Sequence, residues 1–353
     1  MKILVLPGDG IGPEITAATL AVLDAANRKF GLGLEYEHAD IGFASLKTQG
    51  TTCPDAVLAR AREVDGVLLG PISHLDYPPR EQGGINVSGT FRVKLDLYAN
   101  VRPARSRAGL GRPMDLVIMR ECTEGFYPDR NMHQGSGEFM PVPGVALSVR
   151  KITAHACERI ARRAFEFARK RKRLVTAVHK QNVFRMTDGL YLDQVRAVAR
   201  EFPDVKLEEE IVDAMAAKLV RHPERYDVVL ATNFYADILS DLASELSGSL
   251  GLAGSINAGD SLCAAQAQHG SAPDIAGQDR ANPTSLILSA AMLLEWIGQK
   301  RNSTAFAEAG RAIDATIDRV LAKPELRTAD LGGKLGCRAF GEAVAEALST
   351  SAK

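Results

Sequence analysis

The stretch Thr232-Asn-Phe-Tyr-Ala-Asp-Ile-Leu-Ser-Asp241 follows an apolar run, residues 226–231, that predicts a buried strand. The stretch itself opens a predicted helix in which Asp237 and Asp241 are four residues apart, so their side chains lie on one face, one turn apart. Two carboxylates that close repel each other unless a positive charge lies between them. A hard divalent cation such as Mg²⁺ or Mn²⁺ prefers such oxygen ligands. The alternative that this stretch leaves open is a solvated helix face with aspartates near the N-terminus, where the helix dipole favours them.

The bulk composition limits the class of protein. The chain has 353 residues, of which 46% are hydrophobic and 24% charged, with a formal net charge of zero. This length predicts a large core and two domains, and the balanced charge gives no electrostatic reason to expect nucleic acid or a membrane as a partner. No stretch resembles a signal peptide or is long and apolar enough to span a bilayer. The five scattered cysteines lack C-x-x-C spacing, which indicates reduced thiols in a cytoplasmic protein.

The beginning of the chain predicts an α/β unit. The apolar run Lys2–Leu6 is followed by the glycine-rich segment Pro7–Glu14 and by a helical pattern from Ile15 to about Phe30. The glycines do not match G-x-G-x-x-G, so the dinucleotide fingerprint is absent here. The segment is either a tight turn or a backbone kept bare so that it can approach a ligand. Further along, residues 72–90 predict a polar loop, and residues 210–213 predict the start of a helix.

Several charged side chains stand where a site could form. Arg92 and Arg102 flank an apolar segment, and the planar guanidinium group suits carboxylates, although two such arginines can equally be surface residues. Arg120 and Tyr127 follow a predicted strand, at the edge where open α/β sheets place their sites. Lys180 also follows a predicted strand and could act as a general base if burial or neighbouring charges tune its pKa.

Two further segments have distinctive composition. Residues 131–144 contain few core-forming side chains and are followed by the strand-like Val145–Arg150, which together predict an extended arm or hairpin. The basic run Arg169–Arg173 ends a predicted helix. Cations are favourable at a helix C-terminus, and no aromatic residues interleave the run as a stacking platform for RNA requires. A solvated helix end is therefore preferred over nucleic-acid binding.

Taken together, the motifs resemble those of the β-decarboxylating dehydrogenases, which include isopropylmalate, isocitrate, homoisocitrate and tartrate/malate dehydrogenases. The resemblance covers essentially the whole chain, and the motifs occur in the order that the family has. They are Pro7–Glu14, Leu97–Pro103, Arg120-Glu-x-Thr-Glu-Gly, Lys180-x-Asn182 with Thr187-Asp-Gly189, Asp237-Ile-Leu-Ser-Asp241 and His269–Gly277.

The resemblance implies a fold class and an assembly. The fold is the two-lobed α/β fold of the isopropylmalate and isocitrate dehydrogenases, with a large mixed sheet shared by both lobes, and it is not a Rossmann fold. Residues 1–98 and 250–353 would form the large cofactor-side domain, and residues 99–249 the substrate and dimerisation domain. The arm near residues 131–150 would interlock a homodimer whose active sites are shared between subunits.

The resemblance also implies a role for each candidate residue. A metal ion, Mg²⁺ or Mn²⁺, would chelate the C2 hydroxyl and C1 carboxylate of a malate core, and Lys180 from the partner subunit would take the hydroxyl proton as hydride leaves for the nicotinamide. Tyr127 would protonate the enol that remains after CO₂ is lost. The metal ligands would be Asp237 and Asp241 with Asp213 of the second subunit; the substrate contacts Ser88, Arg92, Arg102 and Arg120; and the cofactor contacts Asn182, His269, Gly270, Ser271, Ala272, Asp274 and Asn282.

The choice of cofactor depends on Asp274. A carboxylate accepts hydrogen bonds from a free ribose 2′-hydroxyl and repels a 2′-phosphate, so NAD is expected rather than NADP. The chain departs from the family just before this motif, since Gln266-Ala-Gln268 replaces the usual Glu-Pro-Val. This departure affects one contact on the cofactor side, not the fold.

The second departure lies in the segment that reads the third substituent of the substrate. Isopropylmalate enzymes place leucines there, whereas this chain has Asn86-Val-Ser-Gly-Thr90, with Ser88 at a leucine position. The polar residues favour isocitrate, homoisocitrate or tartrate over isopropylmalate, unless Ile85 and Val87 face the substrate instead. We therefore expect an NAD- and metal-dependent oxidative decarboxylase of a 3-substituted (2R)-malate, with 3-isopropylmalate dehydrogenase as the alternative. A non-catalytic regulatory subunit is the alternative of another class, but it is disfavoured because Tyr127, Lys180, Asp213, Asp237 and Asp241 are all present.

Overall fold

The computed structural model describes residues 1–107 and 109–350, so Ala108 and the end of the predicted large domain, residues 351–353, lie outside the described residues. Contacts divide the chain into two compact units. Unit 1 comprises Met1–Leu95, Arg107–Leu110 and Ser249–Lys353, and unit 2 comprises Asp96–Ser106 and Gly111–Gly248. In the part of the chain that is described, no helix has both the length and the apolar character needed to cross a lipid bilayer.

Both units are built from strands and helices in alternation. The strands are β1 (Lys2–Leu6), β2 (Glu35–His38), β3 (Gly66–Leu69), β4 (Ala99–Arg105), β5 (Asp115–Glu121), β6 (Glu138–Val142), β7 (Val145–Ser148), β8 (Leu174–His179), β9 (Lys206–Ile211), β10 (Val228–Ala231), β11 (Ile256–Ala258) and β12 (Cys263–Gln266). The helices are α1 (Gly12–Phe30), α2 (Gly42–Gln49), α3 (Asp55–Ala61), α4 (Val87–Lys94), α5 (Ala154–Arg169), α6 (Thr187–Ala199), α7 (Val212–Arg221), α8 (Asn233–Ser247), α9 (Thr284–Arg301), α10 (Thr304–Leu321) and α11 (Cys337–Thr350).

All strands except β6 and β7 belong to one ten-stranded mixed sheet, which confirms the predicted fold class. In unit 1 the strand order is β2-β1-β3-β12-β11, with parallel pairs except between β12 and β11. In unit 2 the order is β4-β5-β10-β8-β9, with parallel pairs except between β4 and β5. Strands β3 and β10 are wholly apolar and buried, as expected for parallel strands covered on both faces, whereas β4 and β5 also carry buried charged side chains.

Each unit has its own helical cover. In unit 1, helix α9 packs against β12, α10 and α1, and α1 packs against α11. In unit 2, α5 packs against α6 and the sheet, while α8 packs against β4, β5 and α7. The unit 2 core includes Leu116 and Ile118 of β5, Val229 of β10 and Leu239 of α8, all at most 1% exposed. These contacts fix α8, the helix that carries the aspartate pair, on strands β4 and β5.

Two local predictions are wrong at their boundaries. The polar loop predicted over residues 72–90 ends earlier, because Asn86 caps helix α4 by accepting a hydrogen bond from the backbone N–H of Gly89 at 3.0 Å. The helix predicted to begin at Glu210 begins at Val212, since Glu210 and Ile211 pair with β8 as the end of β9. In both cases the decisive contact is one that a hydrophobic pattern does not reveal.

The predicted arm is a two-stranded antiparallel hairpin formed by β6 and β7. Its strands carry apolar side chains that are exposed in the single chain, and Met140 is the most exposed of them at 63%. The other exposed apolar residues of the hairpin are Phe139, Val142, Val145 and Leu147. A two-stranded ribbon is marginally stable on its own in water, so a surface of this kind is typical of a segment that packs against another molecule.

Candidate active site

The carboxylate of Asp237 is the centre of a cluster in unit 2. It accepts hydrogen bonds from Arg102 Nη1 at 3.1 Å, from an Arg120 Nη1 in close contact, and from the Tyr127 hydroxyl at 2.5 Å. Arg120 Nη2 also donates to the Tyr127 oxygen at 3.0 Å. The structure therefore brings together four residues that the sequence placed in one site.

Arg120 is held in place by its strand and by a residue that the sequence analysis missed. Its side chain is only 1% exposed, so each guanidinium N–H needs a partner. Asn233, the first residue of α8, accepts a hydrogen bond from Arg120 Nε at 2.8 Å, and its own amide group donates to the backbone carbonyl of Glu124 at 2.6 Å. Asn233 thus ties β5, the loop after it and α8 together. It lies within the stretch that suggested the site, but only the tertiary contact reveals its role.

The second aspartate of the pair lies beside Arg102. Asp241 Oδ1 is 3.5 Å from Arg102 Nη1, the same nitrogen that contacts Asp237, and Ser240 Oγ accepts a hydrogen bond from it at 2.7 Å. The spacing of four residues therefore does place both carboxylates at one point. Asp241 is 59% exposed and Asp237 36% exposed, so both remain accessible to a ligand.

Lys180 and Asp213 form a separate pair in unit 2. Lys180 follows β8, Asp213 lies in the first turn of α7, and Lys180 Nζ donates to Asp213 Oδ1 at 2.5 Å. This hydrogen bond holds the pKa of Asp213 below its ordinary value. Asp188 of the Thr187-Asp-Gly motif accepts from the backbone N–H of Lys180 and pairs with Arg150, which fixes the loop. Asn182 follows in the same turn and is exposed.

No group of three His, Cys, Asp or Glu side chains within residues 1–107 and 109–350 is close enough to hold a metal ion. Asp213 lies with Lys180, whereas Asp237 and Asp241 lie with Arg102. The predicted metal site takes its third aspartate, Asp213, from a second subunit, and this assignment stays a prediction.

In unit 1, the predicted substrate residues Ser88 and Arg92 lie one turn apart on α4. Ser88 Oγ accepts a hydrogen bond from Gln266 Nε2 at 2.7 Å, and Arg92 Nε donates to Asn257 Oδ1 at 2.9 Å. Val87, the apolar alternative for facing the substrate, is fully buried, whereas Ser88 is partly exposed. Gln266 was expected to affect a contact on the cofactor side, and in the structure it contacts the predicted substrate residue Ser88. Asn257 was not predicted as a site residue, because it lies far from α4 in the sequence.

The predicted cofactor loop borders a cavity of about 250 Å³ in unit 1. His269 Nε2 is buried without a hydrogen-bond partner among the described residues, and burial lowers the pKa of His269, so the ring offers a neutral nitrogen to a ligand. The side chain of Asn282 donates to Asp330 at 3.0 Å. The cavity is lined by Ile11, Gly251, His269, Gly270, Ala272, Ile275, Arg280, Ala281, Asn282 and Asp330.

The glycine-rich turn at the start of the chain supports this loop. Ile11 N donates to the backbone oxygen of Ser271 at 2.8 Å, and Gly10 has φ +57. A Cβ at Gly10 would stand 2.0 Å from that oxygen, so a side chain there would collide with the loop. Bare backbone is therefore needed here for packing against the predicted cofactor loop.

Asp274 lies in the exposed turn Pro273–Ile275. Its neighbours in the sequence, Ala272 and Ile275, line the cavity. Arg280 also lines the cavity. The prediction of NAD from the Asp274 carboxylate did not take this positive charge into account. The predicted cofactor loop therefore carries both a carboxylate and a guanidinium group.

Glu124 links the cluster in unit 2 to the start of α5. Its carboxylate accepts hydrogen bonds from the backbone N–H of Thr153 at 2.7 Å and from the Thr153 hydroxyl at 3.0 Å. Burial and the neighbouring carboxylate of Glu121 raise the pKa of Glu124 from 4.5 to about 7. Since the pKa is raised in the folded state, folding favours the protonated form. The contribution of protonated Glu124 to the free energy of unfolding is fully present below pH 4.5 and is lost as the pH rises through about 7.

Glu124→Gln is expected to flatten this pH dependence, because an amide does not titrate. Between pH 4.5 and 7 the free energy of unfolding of the wild type should fall relative to that of the variant. We expect a relative fall of roughly 2 kcal/mol. Urea unfolding at a series of pH values measures the difference, with Glu138→Gln on the exposed hairpin as the control. Parallel curves for wild type and Glu124→Gln would show that Glu124 does not titrate in this range.

Comparisons with known proteins define the class of this protein. Residues 2–344 match the family model for isocitrate/isopropylmalate dehydrogenase. The chain is 42% identical to an isocitrate/homoisocitrate dehydrogenase of Thermus thermophilus, with 99% of each chain covered, and 39% identical to a 3-isopropylmalate/3-methylmalate dehydrogenase of Methanocaldococcus jannaschii, with 98% of each covered. The crystal structure of isocitrate dehydrogenase from Methylococcus capsulatus matches with a TM-score of 0.88 and 37% identity over 99% of both chains.

These matches define an α/β oxidoreductase of the class that oxidatively decarboxylates hydroxy acids. The chain belongs to the isocitrate/isopropylmalate dehydrogenase family, which confirms the resemblance inferred from its motifs.

Proposed function

We propose that the protein catalyses the NAD- and divalent-metal-dependent oxidative decarboxylation of a (2R)-malate whose 3-substituent is polar. The observation that carries the proposal is the cluster of Asp237, Arg102, Arg120 and Tyr127, which combines a metal-binding carboxylate, carboxylate-binding cations and a proton donor. The class is shared with relatives named for isocitrate, homoisocitrate and 3-isopropylmalate.

The donor atoms fit a hard divalent cation. Asp237 and Asp241 present carboxylate oxygens to one point beside Arg102, and both are accessible. Oxygen-only ligands are what Mg²⁺ and Mn²⁺ prefer. Asp237 and Asp241, with Asp213 of the partner subunit, would hold the ion. When bound, such an ion would supply Lewis acidity, which stabilises negative charge on the oxygen at C2.

The side chains of this chain would then bind the substrate and move its protons. Arg102 and Arg120 would hold carboxylates of the malate core, since buried guanidinium groups bind them through charge-assisted hydrogen bonds. Lys180 of the partner subunit would accept the C2 hydroxyl proton, and NAD, when bound, would supply the acceptor for the hydride of C2. The bond between C3 and its carboxylate would then break, CO₂ would leave, and the Tyr127 hydroxyl would protonate C3 of the resulting enol.

NAD would occupy the cavity of unit 1. His269 Nε2, which has no hydrogen-bond partner among the described residues, and the open space beside Gly270 support a ligand there. Asn182 of the predicted Lys180-x-Asn182 motif would approach the nicotinamide ribose. Asp274 supports NAD over NADP, in spite of Arg280, because its carboxylate would accept a bond from the free 2′-hydroxyl and repel a 2′-phosphate.

A homodimer with shared sites supplies the residues that one chain lacks. The exposed apolar side chains of the β6–β7 hairpin are suited to burial against a second copy. Phe234 and Ile238 of α8 are also exposed, and they lie one turn apart beside the aspartate pair. A partner that covered them would bring its own residues towards Asp237 and Asp241. A cytoplasmic location is part of the proposal; the five cysteines are buried and free, as a reducing compartment allows.

Helix α4 supports a substrate with a polar 3-substituent. Ser88 is partly exposed and hydrogen-bonded to Gln266, while Val87 is buried, so the helix offers a hydroxyl group where isopropylmalate enzymes have leucine. An isopropyl group would leave that hydroxyl unpaired on burial. Isopropylmalate remains the alternative substrate, favoured by the 39% identity to the relative of Methanocaldococcus jannaschii.

A steady-state comparison of substrates tests the proposal. With Mg²⁺ present, kcat/KM is measured for isocitrate, homoisocitrate, tartrate, D-malate and 3-isopropylmalate, each with NAD and with NADP. We expect NAD to be reduced, and the ratio of kcat/KM for isocitrate or homoisocitrate to that for isopropylmalate to exceed one. A ratio well below one would establish isopropylmalate as the substrate, and no turnover of any malate would support a non-catalytic subunit.

A further inference from the structure

Four polar side chains of unit 1 form an unbroken row of hydrogen bonds that ends at Ser88. Arg92 Nε donates to Asn257 Oδ1 at 2.9 Å, Asn257 Nδ2 donates to Gln266 Oε1 at 3.3 Å, and Gln266 Nε2 donates to Ser88 Oγ at 2.7 Å. Asn257 and Gln266 are 2% and 8% exposed, so the middle of the row is shielded from water. We call these four residues the Arg92–Ser88 row.

The direction of every bond in the row follows from Arg92. A guanidinium group donates hydrogen bonds and accepts none, so Asn257 must turn its carbonyl oxygen towards Arg92 and its NH₂ group towards Gln266. Gln266 must then accept at its carbonyl oxygen and donate through its NH₂ group to Ser88. The row therefore has one polarity, and Ser88 Oγ is at its accepting end.

Ser88 is left with its own proton to donate. Its oxygen accepts from Gln266, and no second hydrogen bond of this hydroxyl is found among residues 1–107 and 109–350. The side chain is partly exposed on α4, so the O–H can point to a ligand. A glutamate at position 266 would reverse this arrangement, because a carboxylate only accepts and would take the Ser88 proton for itself.

We propose that Gln266 determines substrate specificity by holding Ser88 as a hydrogen-bond donor, which selects malates whose 3-substituent ends in a carboxylate. The inference rests on the proposed function, in which Ser88 reads the 3-substituent. A carboxylate has only acceptor oxygens and matches the donor. An isopropyl group offers no acceptor and gains nothing from it, and a 3-hydroxyl group can pair with Ser88 in either direction.

Gln266→Glu tests the polarity of the row while keeping the length of the side chain and the bond from Asn257. We expect the ratio of kcat/KM for isocitrate to that for isopropylmalate to fall by about tenfold to a hundredfold, the value of one hydrogen bond to a charged group. The ratio for isocitrate to tartrate should fall as well, because the tartrate hydroxyl can donate to Ser88. Gln299→Glu, an exposed substitution near the end of α9 in the same unit, adds an equal charge and should change neither ratio.

A double-mutant comparison separates hydrogen-bond polarity from simple charge repulsion. Ser88→Ala alone should lower the ratio of kcat/KM for isocitrate to that for isopropylmalate by a similar factor. Adding Gln266→Glu to Ser88→Ala should then have little further effect on this ratio. An undiminished effect of Gln266→Glu in the Ser88→Ala background would overturn the proposal, since charge would then act without Ser88. Unchanged ratios in both single variants would also overturn it. Failure of the wild type to oxidise any of these malates would instead contradict the proposed function.

Discussion

Lys180→Ala and Tyr127→Phe should each lower kcat by about 10²- to 10⁴-fold, since each removes a group that is expected to move a proton. A mixture of the two inactive chains should nevertheless regain activity. In a hybrid dimer, Tyr127 of one chain would meet Lys180 of the other in one intact site, and the second site would carry both substitutions. Random pairing makes about half of the dimers hybrid, so about a quarter of the wild-type activity is expected.

The structure supplies a matched control for this mixing experiment. Lys180 Nζ is 2.5 Å from Asp213 Oδ1 within one chain, so the two residues would enter any shared site together. A mixture of Lys180→Ala with Asp213→Asn should therefore not recover, because no hybrid site contains both intact residues. Mass spectrometry of differently tagged chains measures the hybrid fraction. Hybrid dimers without recovered activity would show that each site is built from one chain.

Removal of the divalent cation is expected to have the other large effect. Activity should be lost after exhaustive EDTA treatment and return with Mg²⁺ or Mn²⁺, because the oxygen at C2 needs a Lewis acid. Asp241→Asn should weaken metal affinity and turnover together, since the amide keeps the shape but not the charge. Asp237 would keep its bonds to Arg102, Arg120 and Tyr127, so the fold of the cluster should survive.

Direct metal binding distinguishes this effect from a general loss of activity. Titration of the apoprotein with Mn²⁺, followed by electron paramagnetic resonance, should show weaker binding for Asp241→Asn than for the wild type. Glu245→Gln, one turn further along α8, removes an exposed charge of the same sign and should leave Mn²⁺ binding unchanged. Full wild-type activity after EDTA treatment, with no metal detected, would refute the metal site.

The structural relations that the sequence predicted from residue spacing and composition are local ones. Asp237 and Asp241 share a helix face through their spacing, and both contact Arg102. The hairpin at residues 138–148 follows from the absence of core-forming residues before a strand-like segment. A large mixed sheet was predicted through the resemblance of motifs across the whole chain, not through any single pattern, and the structure shows that it has ten strands.

The residues that the sequence did not reveal act through partners far along the chain. Asn233 orients Arg120 from 113 residues away, and Gln266 reaches Ser88 across 178 residues. Both lie in segments that the sequence marked, but the sequence does not show which distant side chain each of them contacts. The requirement for glycine at position 10 comes from the backbone of Ser271, which packs against it and leaves no room for a side chain.

The amino-acid sequence by itself determined the family and the spacing of the aspartate pair, and it predicted the set of acids, bases and cations, because these depend on residue type and on motifs along the chain. Only the tertiary structure decided which donor faces which acceptor. In the Arg92–Ser88 row, Arg92 can only donate, and this fixes the donor and acceptor of each following hydrogen bond through Asn257 and Gln266. Strands β11 and β12 place these two residues beside α4. A change from carboxylate to amide at position 266 is therefore small in the sequence but reverses the polarity of Ser88 in the fold.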